Sequence, residues 1–364
     1  MKKLRFSLFA LGMAALSACN SLTPEPEVAN YLNTVWVVCE GNFSDADGDV
    51  SVYFPEGDSV ITAAYEYVNG APFAGTLQSA TFANGKAYLV DNAGSRIVTV
   101  DAATMESEND RSYAIDIPRF LAVSGDRGFL TAWGPYDESW NSPDSEVALL
   151  DMTEGPNWES SISVPSRPEQ ILEAGGRIWL ACAAASRLIS LNPTTGAQMS
   201  EVLSYDGVSA MVTDANGKLW VLSTSEGPNQ SQSGGLFRYN PDADSNIEEG
   251  IDLATEGTPV SSLAVDGSGQ TLYYIEQVYQ PDWSTVSKVY AMDINATSAP
   301  TTPLIEGTNF SAVGVHPTTG DIYVADNQAF QAAGIVRRYS STGDELGSFT
   351  VGRGPNAFHF PIEE

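Results

Sequence analysis

Seven copies of one two-strand phrase run through this 364-residue chain. Each copy joins an apolar run that carries an aromatic residue to a second run of alternating apolar and polar residues, as in residues 85–91 followed by 96–101. The equivalent aromatic residues are Trp36, Tyr88, Phe129, Trp179, Trp220, Tyr273 and Tyr323. They recur roughly every 40 to 50 residues, which is the period of a β-propeller blade built from several short strands. The repeat therefore predicts an all-β fold, a seven-bladed β-propeller.

Short segments rich in small residues precede most copies of the phrase, for example residues 78–82 and 311–315. We assign them to the innermost strand of each blade, where crowding around the axis favours small side chains. The first copy lacks such a segment, and one follows the last copy at residues 355–360. We therefore predict that the C-terminal strand completes the first blade and closes the ring without a free edge. An open β-solenoid is the alternative, and it requires shorter and more uniform repeats.

The N-terminal segment has the layout of a secretory signal. Residues 1–18 begin with basic side chains and continue, at 6–16, with an apolar run too short to span a bilayer. The run ends in Leu-Ser-Ala-Cys19, which resembles the bacterial lipobox, whose cysteine is acylated. We predict a lipoprotein signal peptide at 1–18, a lipidated Cys19 with a flexible tether at 19–32, and a propeller domain at 33–364. The alternative is an ordinary secretory cleavage site with an incidental cysteine.

The charge of the chain limits its partners. Lys and Arg number 17 and Asp and Glu number 46, which gives a formal net charge of −29. Binding to nucleic acid needs a basic surface, and anionic lipid headgroups repel an acidic one. We therefore expect no nucleic-acid partner, and contact with the membrane only through the N-terminal lipid anchor.

Two cysteines remain in the predicted mature domain. Cys39 and Cys182 each lie three residues after a tryptophan, in matching positions of different repeats. An exported chain is able to oxidise its thiols. In a ring, however, these two repeats lie too far apart for a disulfide, so we expect two buried thiols.

Candidate ligand-binding residues concentrate in the loops between the second and third strands of the blades. These loops and the segments that join successive blades are expected to open on one face of the propeller. The candidates are Asn42, Phe43, Trp133, Tyr136, Trp140, Tyr279, Trp283, Asn327 and Phe330, together with Arg119, Arg167 and Arg353, which each precede an inner strand. Aromatic rings interleaved with amides and guanidinium groups suit a flat ligand with polar edges, such as a sugar or a corrin. The alternatives are that the aromatic residues pack the loops against the body and that the arginines pair with its acidic groups.

Metal binding and catalysis have weaker signals. Asp45, Asp47 and Asp49 have the carboxylate density of a calcium loop without the EF-hand pattern, so calcium and a solvated acidic turn both remain open. No other cofactor is expected.

The two histidines are His316, predicted in a turn on the opposite face, and His359, predicted in the closing strand. No catalytic triad, zinc spacing or phosphate loop appears, so we predict that the protein is not an enzyme.

The phrases at 85–91 and 96–101, with Glu-Gly-Asn-Phe at 40–43, resemble the YncE-like (YVTN-type) seven-bladed propellers. They are most similar to the surface-lipoprotein branch that is often encoded beside TonB-dependent transporters. Residues 321–327 also resemble an NHL-type blade, and the resemblance covers about residues 33–360. One type in that branch, the BtuG-type lipoproteins, captures cobalamin and hands it to the transporter. The strong acidity and the Trp-rich third-blade loop are departures that point to a different ligand.

The resemblance implies a cell-surface lipoprotein that binds a nutrient, cobalamin-type or glycan, and works with a TonB-dependent outer-membrane transporter. A second hypothesis is a protein-interaction scaffold, in which Trp133, Trp140 and Trp283 become buried against a partner protein. A third is a metal-dependent propeller hydrolase or lactonase, which requires metal ligands that converge on the axis.

Overall fold

A computed structural model of the chain describes residues 30–228, 234–242, 248–253, 257–281 and 285–363. The predicted signal peptide, Cys19 and Trp283 lie outside the described residues. The described strands, in chain order, are β1 (Val35–Cys39), β2 (Asp49–Phe54), β3 (Ser59–Ile61), β4 (Leu77–Ala83), β5 (Lys86–Asp91), β6 (Arg96–Asp101), β7 (Ser107–Ser112), β8 (Pro118–Ser124), β9 (Arg127–Ala132), β10 (Glu146–Asp151), β11 (Asn157–Ser163), β12 (Pro168–Ala174), β13 (Arg177–Cys182), β14 (Arg187–Leu191), β15 (Gln198–Leu203), β16 (Val208–Thr213), β17 (Leu219–Ser223), β18 (Gly235–Tyr239), β19 (Glu249–Asp252), β20 (Thr258–Val265), β21 (Thr271–Tyr279), β22 (Thr285–Asp293), β23 (Ile305–Gly307), β24 (Phe310–Val315), β25 (Ile322–Asp326), β26 (Ile335–Tyr339), β27 (Glu345–Thr350) and β28 (Pro355–His359).

These strands form seven four-stranded antiparallel sheets in the described part of the chain. Blade 1 has the strand order β28-β1-β2-β3, and each of blades 2 to 7 takes four consecutive strands, from β4–β7 to β24–β27. The first strands of successive blades contact one another all the way around the axis. The all-β, seven-bladed fold predicted from the repeat is therefore confirmed.

The predicted closure is also confirmed, because β28 pairs with β1 in blade 1. The register places Trp36 opposite His359 and Val38 opposite Ala357. The first blade thus combines strands from both ends of the chain.

Small polar residues of the innermost strands hold neighbouring blades together. Ser79 Oγ in blade 2 donates a hydrogen bond to the Arg119 carbonyl oxygen in blade 3 at 2.7 Å. Ser311 Oγ in blade 7 donates to the Pro355 carbonyl oxygen in blade 1 at 2.6 Å. A short side chain both fits the crowded axis and reaches the backbone of the next blade, which explains the composition of these segments.

The seven repeat aromatics are buried between the sheets. Each lies in the second strand of its blade, and none is more than 5% exposed. They pack in apolar clusters that join one blade to the next, as Trp36 of blade 1 does with Leu89 of blade 2. Burying a side chain of this size stabilises the fold by about 2–3 kcal/mol. Each blade needs one such residue for its packing, which explains why the aromatic residue repeats in the sequence.

A short helix, α1 (Ala64–Asn69), links β3 to β4. The carboxylate of Asp49 accepts hydrogen bonds from the backbone N–H groups of Tyr65 and Glu66, at 3.0 and 3.3 Å, at the start of this helix. Burial raises the pKa of Asp49 to about 6, against the lowering effect of these hydrogen bonds. This carboxylate therefore has a structural role within blade 1.

Two sequence-based boundaries differ from the structure. Tyr31, assigned to the tether, is only 1% exposed and packs on Trp36, so the folded domain begins before residue 33. In blade 6, Tyr279, assigned to a loop, lies in β21, which pairs with β22 as far as Tyr279. The alternation of side chains along β21 continues as far as Tyr279. The β21–β22 hairpin is therefore longer than its polar residues suggested.

The loops between second and third strands and the segments that join blades share one face, here called the top face. Backbone hydrogen bonds connect the two sets, as from Trp133 N–H to the Ile117 carbonyl oxygen at 3.1 Å. The chain enters from the opposite, bottom face, where Tyr31 N–H donates to the Ala103 carbonyl oxygen in the β6–β7 turn at 2.8 Å. Within the described residues, no helix has the length and apolar character needed to cross a membrane.

Cys39 and Cys182 are buried and form no disulfide in the described residues. They lie in blades 1 and 4, as the repeat positions predicted. Burial raises the pKa of each thiol to about 12. Both cysteines therefore act as small core residues.

Candidate functional site

A cavity of about 690 Å³ follows the propeller axis and is lined by the inner strands. Arg119 and Glu169 lie at the starts of β8 and β12, and therefore at the end of the cavity nearest the top face. Phe82 and His359 line it near the ends of β4 and β28. The inner strands therefore create a cavity with a charged upper end and a more apolar lower end.

Arg119 organises the charged end of the cavity. Its Nη2 and Nε lie 3.1 and 3.3 Å from Glu169 Oε2, and its Nη1 donates to Gln78 Oε1. The side chains of Arg119 and Glu169 are only 18% and 14% exposed. Burial raises the pKa of Glu169 and of nearby Glu40, and the positive charge of Arg119 opposes both shifts. Arg119 thus compensates two partly desolvated carboxyl groups, and the charge of Arg167 also lowers the pKa of Glu169 to a smaller extent.

Trp133 connects this charged end to the top face. The Cζ atoms of Arg119 and Arg167 lie over its ring, 4.3 and 5.3 Å from the centroid. The ring of Tyr136 lies 6.3 Å from Trp133, and that of Trp140 lies 5.6 Å from Tyr136. Tyr136 is 41% exposed and Trp140 is 73% exposed, whereas Trp133 is half-buried. We call Trp133, Tyr136 and Trp140 the aromatic shelf, since their rings follow one another from Arg119 to solvent.

Local turn chemistry explains why the loop of blade 3 presents this shelf. Asp137 Oδ1 accepts hydrogen bonds from the backbone N–H groups of Ser139 and Asn141 at 2.8 and 2.9 Å. These bonds lower the pKa of Asp137 and fix the turn that contains Trp140. Ser145 Oγ donates to the Trp133 carbonyl oxygen at 2.8 Å, which ties the base of the loop.

Arg167 reaches the shelf from an unusual backbone conformation. Its φ of 57° is left-handed, at the position just before an inner strand, where Ile117 and Asn309 are also left-handed in blades 3 and 7 and where blades 5 and 1 have Gly207 and Gly354. A non-glycine residue there costs about 1–2 kcal/mol. Its Nη2 donates to the Trp140 carbonyl oxygen at 2.5 Å, so the strained residue is held against the shelf loop.

The third predicted arginine has a different environment. Arg353 Nη1 lies 2.6 Å from Asp45 Oδ2 and 3.5 Å from Asp47 Oδ2, so this residue follows the ion-pair alternative. Asp49 instead bonds the first turn of α1. Asp45 and Asp47 therefore share Arg353 while Asp49 faces α1, and no group of three metal-ligating side chains converges among the described residues. Calcium binding by this segment stays a prediction.

The remaining candidates lie on the top face at separate places. Phe43, Tyr279 and Phe330 are 73%, 64% and 39% exposed, but no ring contact joins any of them to the shelf in the described residues. Asn42 Oδ1 accepts from Ser44 N–H at 2.9 Å, and Asn327 Oδ1 accepts from Ala329 N–H at 3.0 Å. The two asparagines thus shape their own turns.

Sequence reasoning missed several residues of the cavity. Glu40, Gln78 and Asn356 line its upper end, and Asn356 Oδ1 is buried without a described hydrogen-bond partner. Gln78 and Asn356 are longer polar residues inside segments of small residues, whereas Glu40 directly follows β1. For Gln78 and Asn356, the contrast in length was the available signal, since a long polar side chain at a crowded axis has to point along the cavity.

Comparison with known proteins identifies the family and the fold. Residues 33–362 match the family described as Domain of unknown function (DUF5074), and no curated protein sequence matches the chain. The chain is similar to a quinonprotein alcohol dehydrogenase-like protein from Bacteroides thetaiotaomicron, with 13% identity, 91% of this chain and 79% of that chain covered, and a TM-score of 0.67.

Two further solved structures have lactonase names. A putative 6-phosphogluconolactonase from Bacteroides fragilis has 10% identity, 90% and 97% coverage of the two chains and a TM-score of 0.66. A periplasmic gluconolactonase from Pseudomonas aeruginosa has 13% identity, 90% and 98% coverage and a TM-score of 0.64. Such identities show the propeller fold alone. Kinship with the YncE-like and BtuG-type lipoproteins stays a prediction.

Proposed function

The chain belongs to the DUF5074 family, and we propose that it is a cell-surface lipoprotein that binds a nutrient ligand on its top face. The observation that carries the proposal is the position of Arg119, which contacts both the Trp133 ring and the charged end of the central cavity. Arg119 thus joins the hydrogen-bonding groups of the cavity to the aromatic shelf beside it, and small-molecule sites combine these two kinds of group.

The exposed part of the shelf supports binding rather than loop packing. Trp140 is 73% exposed although its ring contacts Tyr136, so the loop holds a large apolar surface in solvent. A sugar ring or a corrin can cover such a surface while its polar edges reach arginine and carboxylate groups. Cobalamin is the first ligand to test and a glycan is the second.

The path of the chain supports capture from the medium. The described residues enter the propeller at the bottom face, through Asn30 and Tyr31. A lipid on Cys19 would anchor the chain from that side, with the top face directed away from the membrane. We further propose that the loaded protein passes its ligand to a TonB-dependent outer-membrane transporter, as the resemblance to surface lipoproteins implies.

Intrinsic tryptophan fluorescence of residues 20–364 tests the proposal. The protein is titrated with cyanocobalamin, with correction for corrin absorbance, and then with a glycan panel. Blade 3 offers a matched pair of exposed tryptophans, because Trp140 lies on the shelf and Trp158, 55% exposed, lies on the outermost strand β11. We expect saturable quenching whose affinity falls about tenfold or more in Trp140→Ala and is unchanged in Trp158→Ala.

The absence of any response would favour the scaffold hypothesis. In that case, tagged protein should retain the transporter from solubilised outer membranes through the same shelf, and Trp140→Ala should abolish the retention. Equal loss of binding in both tryptophan variants would contradict a top-face site.

Lactone hydrolysis is the second candidate function. Two similar structures have gluconolactonase names, and Glu40 and Glu169 bring two carboxyl groups to the upper end of the cavity. Titration of the acid released from glucono-1,5-lactone measures this activity. Turnover above the buffer rate that Glu169→Gln abolishes would favour the enzyme over the binding protein.

A further inference from the structure

The arginines at the top face differ in how their charge is compensated. Arg119 is paired with Glu169, and Arg353 is paired with Asp45 and Asp47. Arg167 forms no ion pair within the part of the chain that the structure describes, although the sequence has 46 acidic and only 17 basic residues. In so acidic a chain, a guanidinium beside the aromatic shelf that forms no ion pair among the described residues is an available site for a negative group.

The hydrogen bonds of Arg167 leave much of its donor capacity unused. A guanidinium has five N–H donors in a planar fork that matches a carboxylate or a phosphate. Among the described residues, the Arg167 side chain donates from Nη2 to the Trp140 carbonyl oxygen, which is a neutral acceptor. The side chain is therefore held in place while its charge is not neutralised by a direct partner.

Contacts with two aromatic rings fix the position of the Arg167 guanidinium group. The Cζ atom of Arg167 lies 5.3 Å from the Trp133 ring centroid and 5.9 Å from that of Tyr136. A ligand ring on the exposed side of Tyr136 or Trp140 would bring a substituent close to the guanidinium. The left-handed backbone of Arg167 recurs at Ile117 and Asn309 in blades 3 and 7, so it belongs to the turn that precedes the inner strand, and the ring contacts and the bond to Trp140 are what hold the side chain.

We infer that the ligand of the top face carries an anionic group, a carboxylate or a phosphate on a ring, and that Arg167 binds it while Arg119 serves to position Trp133 and Glu169. This inference rests on the proposed function, because it names the ligand class of the same site. A uronic acid and a sugar phosphate are the two sources of such a group that the geometry fits.

Matched pairs of compounds test the inference. Residues 20–364 are titrated by calorimetry with glucose, glucuronate and glucose 6-phosphate, each in the wild type, Arg167→Gln and Arg353→Gln. Glutamine leaves the left-handed strain at residue 167 in place, and Arg353→Gln removes a top-face charge that is already paired. Circular dichroism and the melting temperature confirm that each variant is folded.

We expect at least one anion to bind about tenfold or more tightly than glucose, since a charge-assisted hydrogen bond contributes about 1.5–3 kcal/mol. This preference should disappear in Arg167→Gln and persist in Arg353→Gln. The better of the two anions identifies the carboxylate or the phosphate as the group bound.

Three results would overturn the inference. Equal affinity for glucose and both anions would refute an anion site and leave sugar binding on the top face intact. A preference that survives Arg167→Gln would assign the anion to another residue. A folded protein that binds none of these compounds, and neither cobalamin nor any glycan, would refute the proposed function together with the inference.

Discussion

Trp36 and His359 are direct partners across β1 and β28, although they lie near opposite ends of the propeller sequence. Their strands belong to one blade, so every other blade lies between these two residues along the chain. The indole N–H of Trp36 also donates to the Tyr31 carbonyl oxygen at 3.1 Å. The point of ring closure is therefore packed like the interior of any other blade.

Deletion of residues 355–364 should destabilise the whole propeller. The deletion removes β28, exposes the edge of β1 and takes away the partner of Ser311 in the next blade. We expect the melting temperature to fall by at least ~10 °C, or the domain to fail to fold. Differential scanning calorimetry measures the effect, with a deletion of 362–364 as the control that leaves β28 intact. A melting temperature equal to that of the full chain would refute the role of closure.

Gly41→Ala should cost far more stability than Gly85→Ala. Both glycines have left-handed backbones, with φ of 79° and 73°. A Cβ at Gly41 would lie 2.3 Å from the Gly48 backbone nitrogen, whereas a Cβ at Gly85 would meet no atom within 4 Å. We expect a loss of about 1 kcal/mol for Gly85→Ala, and of about 3 kcal/mol for Gly41→Ala because of the added clash. Urea unfolding measures both, and equal losses would contradict the close packing at Gly41.

The stability of the domain should depend on pH through His359. Burial in the lower part of the cavity lowers its pKa to about 4. Because its pKa is lower in the folded than in the unfolded state, the unfolded state binds more protons between about pH 4 and 6.5, and stability falls as the pH decreases through that window. His359→Gln removes this dependence, so its stability relative to the wild type should rise by about 2 kcal/mol from pH 7 to pH 4.

Asp49 works in the opposite direction over nearly the same window. Its pKa is raised to about 6, so its contribution to stability decreases as the pH rises from about 4 to 6. The wild-type curve should therefore look flatter than either group alone would make it. Urea unfolding of His359→Gln and Asp49→Asn at pH 4, 5, 6 and 7 separates the two, and parallel curves for all three proteins would contradict both shifts.

The fold was predictable from sequence because each blade repeats the same physical demands. The axis requires small residues, as in β4 and β24, and the space between blades requires a large apolar residue in the second strand. Because these packing requirements recur in every blade, the repeat stays recognisable in the sequence although the loops differ in length. The closing strand followed from the same argument, since only residues 355–360 were left to fill the place missing in blade 1.

The site was predictable only in part, because ion pairs depend on which loops meet in space. Arg119, Arg167 and Arg353 occupy similar positions in sequence, but one pairs at the axis, one lies against aromatic rings and one pairs with a loop aspartate. Trp133 and Trp140 likewise belong to one loop, but the first is half-buried and the second, in the turn bonded to Asp137, is mostly exposed. Local sequence does not encode these choices among 46 acidic side chains.

Removal of Arg119 should destabilise the protein increasingly as the pH rises. In Arg119→Gln, the Glu169 carboxylate loses its cation while it remains mostly buried, so its pKa in the folded state should rise further above the unfolded value. Below the unfolded pKa both states hold the proton and the penalty is small. Above it, the folded state must either keep a proton that the unfolded state has released or carry an unpaired buried charge, so stability falls. We expect a penalty of about 3 kcal/mol at pH 7.5 and much less at pH 4.

The double variant Arg119→Gln/Glu169→Gln isolates this pair. It should recover about 2 kcal/mol at pH 7.5 relative to Arg119→Gln, because the unpaired carboxylate is gone. A smaller pH dependence should remain, since Glu40 also loses the opposing charge of Arg119. Urea unfolding of the four proteins in the cycle at both pH values gives the coupling energy. A coupling near zero at pH 7.5 would show that Glu169 does not depend on Arg119, and that the charged end of the cavity is organised by other groups.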